Sequence, residues 1–208
     1  MGQKSKRDKN YLKKLRDSSE MYYCDKPALN WGENDRNDIF IMSNRYSFEW
    51  EISTGTEKRL IPLKVDLLKY ILDFKKNNEI KGREISLYIG TDSQSYLDKT
   101  KFITALCLRI ENNGVHVIIS KIDMPKIYNY RYRLLRETDI TAEFIRKYAK
   151  EFKKNNLELT IHADYNSQTN HKSNGVVTEA SNYIKNLGFD LIIKPFSFSA
   201  TYAADHFC

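Results

Sequence analysis

The sequence is poor in cysteine: it has three in 208 residues, and Cys24, Cys107 and Cys208 lie far apart. An odd number with no close pair excludes a disulfide framework and the ligand spacing of a zinc site. The chain also lacks any apolar run near the roughly 20 residues of a membrane span, and its N-terminus has no signal-peptide core. These absences predict a protein of the reducing cytoplasm with no membrane partner.

Charge, in contrast, is plentiful. The 34 lysines and arginines exceed the 27 aspartates and glutamates, which gives a net charge of +7. Such an excess permits an anionic partner such as nucleic acid but does not require one. Seven basic and three acidic residues lie within residues 1–20, so we expect residues 1–45 to form a basic N-terminal arm and a linker. The arm is either a solvated terminus or a segment that contacts phosphates.

The sequence pattern of residues 46–84 predicts a strand and a helix that precede the main domain. Apolar residues alternate from Tyr46 to Ile52, as in a strand. Beyond Pro62, apolar residues from Leu63 to Phe74 recur at helical spacing. We expect this pair to pack on the main domain, residues 85–208.

The sequence pattern of residues 85–208 predicts the element order βββαβαβα. The expected strands are residues 85–92, 101–110, 115–122, 157–164 and 189–194, and the expected helices are residues 130–154, 173–187 and a short terminal segment, 199–208. A tight-turn signal at Gly114 joins the second and third strands into an antiparallel meander. Long connections through helices place the last two strands parallel. The expected fold class is therefore α/β, with a mixed five-stranded sheet and helices on its faces.

Four acidic residues fall at the ends of predicted elements. Asp92 and Asp164 close the first and fourth strands, Glu137 lies early in the long helix, and Asp205 lies in the terminal segment. If those two strands are parallel neighbours, Asp92 and Asp164 meet at the edge where open α/β sheets bind ligands. Converging carboxylates repel one another, and a divalent cation relieves that repulsion. Oxygen ligands favour Mg²⁺ or Mn²⁺ over zinc, and two ions about 4 Å apart would hold a phosphodiester and activate a water.

Glu137 is the most informative of the four acids. It lies three residues after Leu134, four before Thr141 and seven before Phe144, so it falls on the apolar stripe of its helix. A buried acid argues against a purely structural role within a larger assembly.

Each acid also has a structural interpretation. Asp92 could cap a turn, and Asp164 could form an Asx turn. Glu137 could pair with an arginine of its own helix, and Asp205 could be a loose terminal residue.

At these residues the sequence resembles the ribonuclease H-like superfamily, and more closely the YkuK-type family of bacterial ribonuclease H-like proteins. The likeness spans residues 60–205 and is carried by IGTDSQ at 89–94, LLRE at 134–137, HADYN at 162–166, KSN at 172–174, LGF at 187–189, KP at 194–195 and AAD at 203–205. The resemblance implies a metal-dependent, nuclease-like site. Carried over by position, its metal-binding and catalytic acids are Asp92, Glu137, Asp164 and Asp205.

Two polar segments supplement the acids. Lys172 and His171 lie in a loop beside the expected site, where Lys172 would bind a phosphate and His171 would aid proton transfer; a solvated loop is the alternative. His162 shares the strand phase of Asp164, so it either orients that carboxylate or is a core histidine whose hydrogen bonds are satisfied.

Segment 126–136, KIYNYRYRLLR, interleaves tyrosines with arginines. That pattern suits a single strand of nucleic acid, or else a solvated cationic face.

The expected function is metal-dependent hydrolysis of phosphodiesters in RNA, DNA or a hybrid. Water activated by Mg²⁺ or Mn²⁺ would attack while held among Asp92, Glu137 and Asp164. The alternative is a non-catalytic nucleic-acid-binding module of the same fold. The presence of all four acids favours the enzyme.

Overall fold

A computed structural model describes residues 48–53, 60–168 and 171–208, which all belong to one compact unit, Tyr46–Cys208. The expected arm and linker, residues 1–45, lie outside the described residues, as do Cys24 and Tyr46. The division into arm, strand–helix pair and main domain stays a prediction. Within the described ranges, no helix is both long enough and apolar enough to cross a membrane.

The described residues form one mixed sheet with helices on its faces. Its strands are β1 (Trp50–Ser53), β2 (Leu60–Pro62), β3 (Ile85–Ser95), β4 (Lys99–Ile110), β5 (Gly114–Pro125), β6 (Leu159–Asn166) and β7 (Leu191–Lys194). Their order in the sheet is β2-β1-β5-β4-β3-β6-β7. The expected α/β class is confirmed, but the expected count of five strands is wrong.

Strands β1 and β2 account for the difference. β1 pairs antiparallel with β5, with Glu51 opposite Ile119, and β2 pairs with β1. Alternation identifies a strand but not its partner, so the segment around Trp50 was expected to pack on the domain rather than extend its sheet. β2 is three residues long, too short to show any period.

The helices are α1 (Leu67–Glu79), α2 (Tyr130–Lys154), α3 (Asn174–Asn186) and α4 (Asp205–Phe207), and a π-helical segment, Ser199–Ala204, leads into α4. The side chain of Asp66 accepts a hydrogen bond from the backbone N–H of Lys69 at 3.0 Å and so caps α1. For this reason α1 begins later than the spacing from Leu63 suggests. Asn129 caps α2 in the same way, accepting from the N–H of Tyr132 at 2.9 Å.

The pairing of β3 positions the candidate site. β3 runs antiparallel to β4 and parallel to β6, and its parallel ladder ends at Thr91 opposite Ala163. The condition that these two strands are parallel neighbours is therefore met, and Asp92 and Asp164 each lie one residue beyond this ladder. Asp92 does not end its strand, because pairing with β4 carries β3 on to Ser95.

Successive side chains of β3 and β6 point to opposite faces of the sheet. Thr91 and Tyr165 face α2: the Thr91 hydroxyl lies 2.8 Å from that of Thr141, and the Tyr165 hydroxyl donates to the carbonyl of Leu134. His162, in the other phase, contacts Ser199 of the π-helical segment. Asp92 and Asp164 therefore share the face covered by the C-terminal segment, whereas Glu137 comes from α2.

Candidate metal centre

Glu137 is buried, with 2% of its surface exposed, as its position on the apolar stripe predicts. Ser93 Oγ donates a hydrogen bond to Glu137 Oε1 at 2.5 Å. The other oxygen, Oε2, is buried and has no hydrogen-bond partner within the described part of the chain. Burial raises the pKa of Glu137 well above its ordinary value, and the charge of Asp92 raises it further.

The structural alternative for Glu137 was a pair with an arginine of α2. Arg136 instead bonds Asp139, with 2.8 Å between Nη1 and Oδ2. Arg133 Nη1 donates to the backbone carbonyl of Ser93 at 2.7 Å. Arg133 therefore acts on Glu137 through its charge, which lowers the pKa of that carboxyl against the larger effect of burial.

Asp92 is the second perturbed acid. Burial raises its pKa from an ordinary 3.8 to about 6, although a hydrogen bond from the backbone N–H of Ser93 acts in the opposite direction. The charges of Asp164 and Asp205 raise this pKa further. Asp92 caps no turn, because Ser93 continues strand β3.

Asp164 and Asp205 lie nearer to solvent than Glu137. The side chain of Asp164 is 24% exposed, and its Oδ1 lies 2.6 Å from Nζ of Lys194. The Asx-type contact in this segment belongs to Asn166, whose side chain accepts from the N–H of Gln168 at 2.9 Å. Asp205 is exposed and opens α4, yet its charge still acts on Asp92.

The four acids are thus electrostatically coupled, but they do not form a compact ligand cluster. No group of three or more His, Cys, Asp or Glu side chains in the described ranges is arranged to hold a metal ion. Glu137 is buried, Asp92 and Asp164 are half-buried, and Asp205 is exposed. Their assignment as metal ligands and catalytic residues stays a prediction.

Lys194 is a residue of this region whose role the sequence interpretation missed. Its bond to Asp164 raises the pKa of Lys194, and the charges of Asp92 and Asp205 act in the same direction. A signal was present: Lys194 closes the predicted fifth strand, which was expected to run parallel to the strand that carries Asp164. Pairing of β6 with β7 places Lys194 opposite Asn166.

The other predicted polar residues have different outcomes. Lys172 and His171 are exposed just before α3, and their expected roles stay predictions. His162 is buried, and its Nδ1 accepts from the backbone N–H of Ser199 at 3.1 Å and lies 2.7 Å from its hydroxyl. Burial lowers the pKa of His162 to about 4. It is a satisfied core histidine that holds the C-terminal segment.

Aromatic and basic side chains pair at the start of α2 and in the segment just before it. Tyr128 is 84% exposed, and Nζ of Lys126 lies 5.3 Å from the centre of its ring. Tyr130 is 40% exposed, with the Arg133 guanidinium 5.2 Å from its ring centre. Burial is the largest cause of the raised pKa of Tyr130. The charges of Glu137, Asp164 and Asp92 raise this pKa further, which places the hydroxyl of Tyr130 near the acids.

The mixed sheet, with acids from β3, α2 and β6 near one edge, defines a ribonuclease H-like protein. The family model described as Ribonuclease H-like matches residues 66–208, and the chain belongs to this family. It is 29% identical over 141 residues to the uncharacterized protein YkuK of Bacillus subtilis (strain 168), a match that covers 58% of this chain and 77% of that protein. Both findings agree with the resemblance stated from the sequence. No solved structure matches this chain significantly.

Proposed function

We propose that this protein is a divalent-metal-dependent hydrolase of phosphodiesters in RNA, DNA or a hybrid. The observation that carries the proposal is the Glu137 carboxylate. Its Oε2 is buried without a hydrogen-bond partner among the described residues, and leaving a buried polar atom unpaired is costly. A cation bound beside it would remove that cost.

The side chains present fit Mg²⁺ or Mn²⁺. All four acids offer oxygen ligands, which both ions prefer, and repulsion from neighbouring carboxylates contributes to the raised pKa values of Asp92 and Glu137. Asp92, Glu137, Asp164 and Asp205 would hold the metal. When bound, a divalent ion supplies a water of lowered pKa and positive charge for the phosphodiester.

The chain's own contacts prepare the acids for this role. The Ser93 hydroxyl fixes Oε1 of Glu137 and so leaves Oε2 as the open ligand position. Arg133 bonds the Ser93 carbonyl and brings positive charge close to Asp92 and Glu137. The Ser93 contact orients Glu137 before any ligand binds, as electrostatic preorganisation requires.

Support for a nucleic-acid partner comes from the start of α2. Tyr128 and Tyr130 expose their rings beside cationic side chains, and bases stack on such rings while cations follow the phosphates. Lys172 is proposed to add a phosphate contact from its exposed loop. A cytoplasmic location is part of the same proposal.

Two observations favour the second candidate, a binding module of the same fold that does not cut. Asp164 already bonds Lys194, and the described residues contain no three-residue metal cluster. The two candidates predict different behaviour on the same labelled nucleic acid.

The test measures cleavage and binding of end-labelled single-stranded RNA, single-stranded DNA and an RNA/DNA hybrid, with Mn²⁺, Mg²⁺ or EDTA. We expect the wild type to cut at least one of them with metal, and Asp92→Asn to lose about 100-fold or more of that rate. Asp123→Asn is the matched control, because Asp123 is a half-exposed strand residue paired with Lys99. Binding without cutting, equal in wild type and Asp92→Asn, would establish the binding module instead.

A further inference from the structure

Exposed aromatic side chains gather at one edge of the sheet. Strands β3 and β5 are both antiparallel to β4, which lies between them, so both end at the same edge. Tyr96 directly follows β3, Tyr128 lies three residues after β5, and Tyr130 opens α2. Three of the five exposed tyrosine and phenylalanine side chains in the described ranges therefore lie beside the end of β3 that carries Asp92; the other two are Phe196 and Tyr202.

Backbone hydrogen bonds join the chain segments that carry these tyrosines. The N–H of Lys126 donates to the carbonyl of Asp98 at 3.2 Å. The N–H of Ile127 donates to the hydroxyl of Thr100 at 2.9 Å. The turn between β3 and β4 is thus fixed against the segment between β5 and α2. We call the three rings and the cations beside them the tyrosine surface: Tyr96, Tyr128, Tyr130, Lys101, Lys126 and Arg133.

Each ring of the tyrosine surface lies beside a cation. This holds for Tyr128 and Tyr130, as described above, and Tyr96 is a third case. Nζ of Lys101 lies 4.9 Å from the centre of the Tyr96 ring and donates to its hydroxyl at 3.3 Å. The centres of interfaces between proteins are depleted of charge, whereas a nucleic acid presents flat bases next to phosphates. Rings alternating with cations therefore fit a nucleic acid rather than an apolar protein partner.

Arg133 links the tyrosine surface to the acids. Its guanidinium lies 5.2 Å from the centre of the Tyr130 ring. Its Nη1 donates to the carbonyl of Ser93, the residue that follows Asp92. A ligand bound at Tyr130 therefore lies next to the part of β3 that carries Asp92.

The exposed rings distinguish unpaired bases from paired ones. In a duplex the faces of the bases are stacked on one another, and a protein in a groove reaches only their edges. A tyrosine ring can therefore stack only on a base that is unpaired. Tyr128 suits this contact because it is 84% exposed, so little of the protein covers its ring.

We propose that the tyrosine surface binds single-stranded RNA or DNA in preference to a duplex, with an unpaired base stacked on Tyr128 and the cations at the neighbouring phosphates. The inference deepens the proposed function and rests on it for the class of partner, a nucleic acid. It narrows the substrate to an unpaired strand and excludes the hybrid. Binding at this surface needs neither a metal ion nor cleavage.

The test measures the affinity of the full chain by fluorescence anisotropy in EDTA. The probes are labelled single strands of DNA and RNA of about 16 nucleotides, the upper range of single-strand-binding sites, and the duplexes and hybrid of the same sequences. Tyr128→Ala removes the ring, and Tyr128→Phe keeps it. Ile80→Ala is the matched control, because Ile80 is 74% exposed and lies five residues before β3, at the end of that strand remote from Asp92.

We expect the wild type to bind at least one single strand about tenfold or more tightly than the duplexes and the hybrid. Tyr128→Ala should weaken single-strand binding by about 5–150-fold, the effect of one stacked base, whereas Tyr128→Phe and the control should stay within about twofold of the wild type. Lys126→Gln should reduce the slope of log affinity against log salt by about 0.7, the effect of one phosphate contact on a single strand. Circular dichroism checks that each variant is folded.

The outcomes separate this inference from the proposed hydrolase. Equal affinity for single strands and duplexes, or equal binding by Tyr128→Ala and Ile80→Ala, would overturn the inference, and metal-dependent cutting by the wild type would still support the hydrolase. A single-strand preference that Tyr128→Ala abolishes would support the inference even if no nucleic acid is cut. Absence of binding to every probe would overturn it, and a dimer that Tyr128→Ala dissociates in sedimentation would then assign the tyrosine surface to a second copy of the chain.

Discussion

Replacing Asp92 with asparagine is expected to stabilise the metal-free protein at pH 8. Burial raises the pKa of this carboxyl from 3.8 to about 6, so the folded state holds the ionised form at a disadvantage. A difference of about two pKa units corresponds to about 3 kcal/mol in the free energy of unfolding. Asparagine carries no charge, and its oxygen can still accept from the N–H of Ser93.

The sign follows from proton linkage. The folded pKa of Asp92 is raised, so its favourable contribution is complete below pH 3.8 and is lost as the pH rises through about 6. The advantage of Asp92→Asn should therefore be about 3 kcal/mol at pH 8 and only about 0.5 kcal/mol at pH 4. In a chain of this size, the larger value raises the melting temperature by about 6–12 °C.

Urea unfolding followed by circular dichroism in EDTA, at pH 4 and pH 8, measures both values. The control, Asp123→Asn, changes a half-exposed ion pair and should shift stability by about 0.5 kcal/mol or less. If Asp92→Asn is as stable as the wild type at pH 8, or its effect does not depend on pH, the electrostatic account of this centre is refuted.

Two further substitutions test neighbouring contacts. Ser93→Ala removes the donor to Glu137 Oε1 and should lower the free energy of unfolding by about 1–3 kcal/mol at neutral pH; in the same urea titration, the exposed Ser95→Ala should change it little, and equal effects would contradict this. Burial lowers the pKa of His162 to about 4, so His162 costs the folded state stability as the pH falls from about 6.5 to 4. His162→Gln should lose less stability than the wild type between those pH values, and parallel pH curves for the two proteins would contradict the role given to His162.

Patterns within a single element were predictable from the sequence. Helix α2 has the expected bounds, Tyr130–Lys154, because its apolar residues keep a helical period over many turns. The same period predicted the burial of Glu137. The parallel direction of β6 followed from the helical connection between β5 and β6, since a crossover of that length favours parallel strands, whereas the adjacency of β3 and β6 entered only as a condition.

Contacts between elements were not predictable in the same way. Nothing in the spacing around Glu137 indicates that Ser93 bonds it, because that contact depends on how α2 lies against β3. The extension of β3 beyond Asp92 depends on its register with β4, which no period of β3 encodes. The bond from Lys194 to Asp164 likewise depends on the pairing of β7 with β6, whose register shifts between His162 and Asn166.

The hydrogen bonds between His162 and Ser199 help to fix the position of Asp205, six residues after Ser199. Together with Ala204, which is fully buried among Ile103 and its neighbours, they anchor the stretch that ends at Asp205. The position of the exposed Asp205 carboxylate therefore depends on contacts in the interior of the protein. A substitution of His162 in β6 would therefore displace the charge of Asp205. Core packing and the placement of this acid cannot be altered independently.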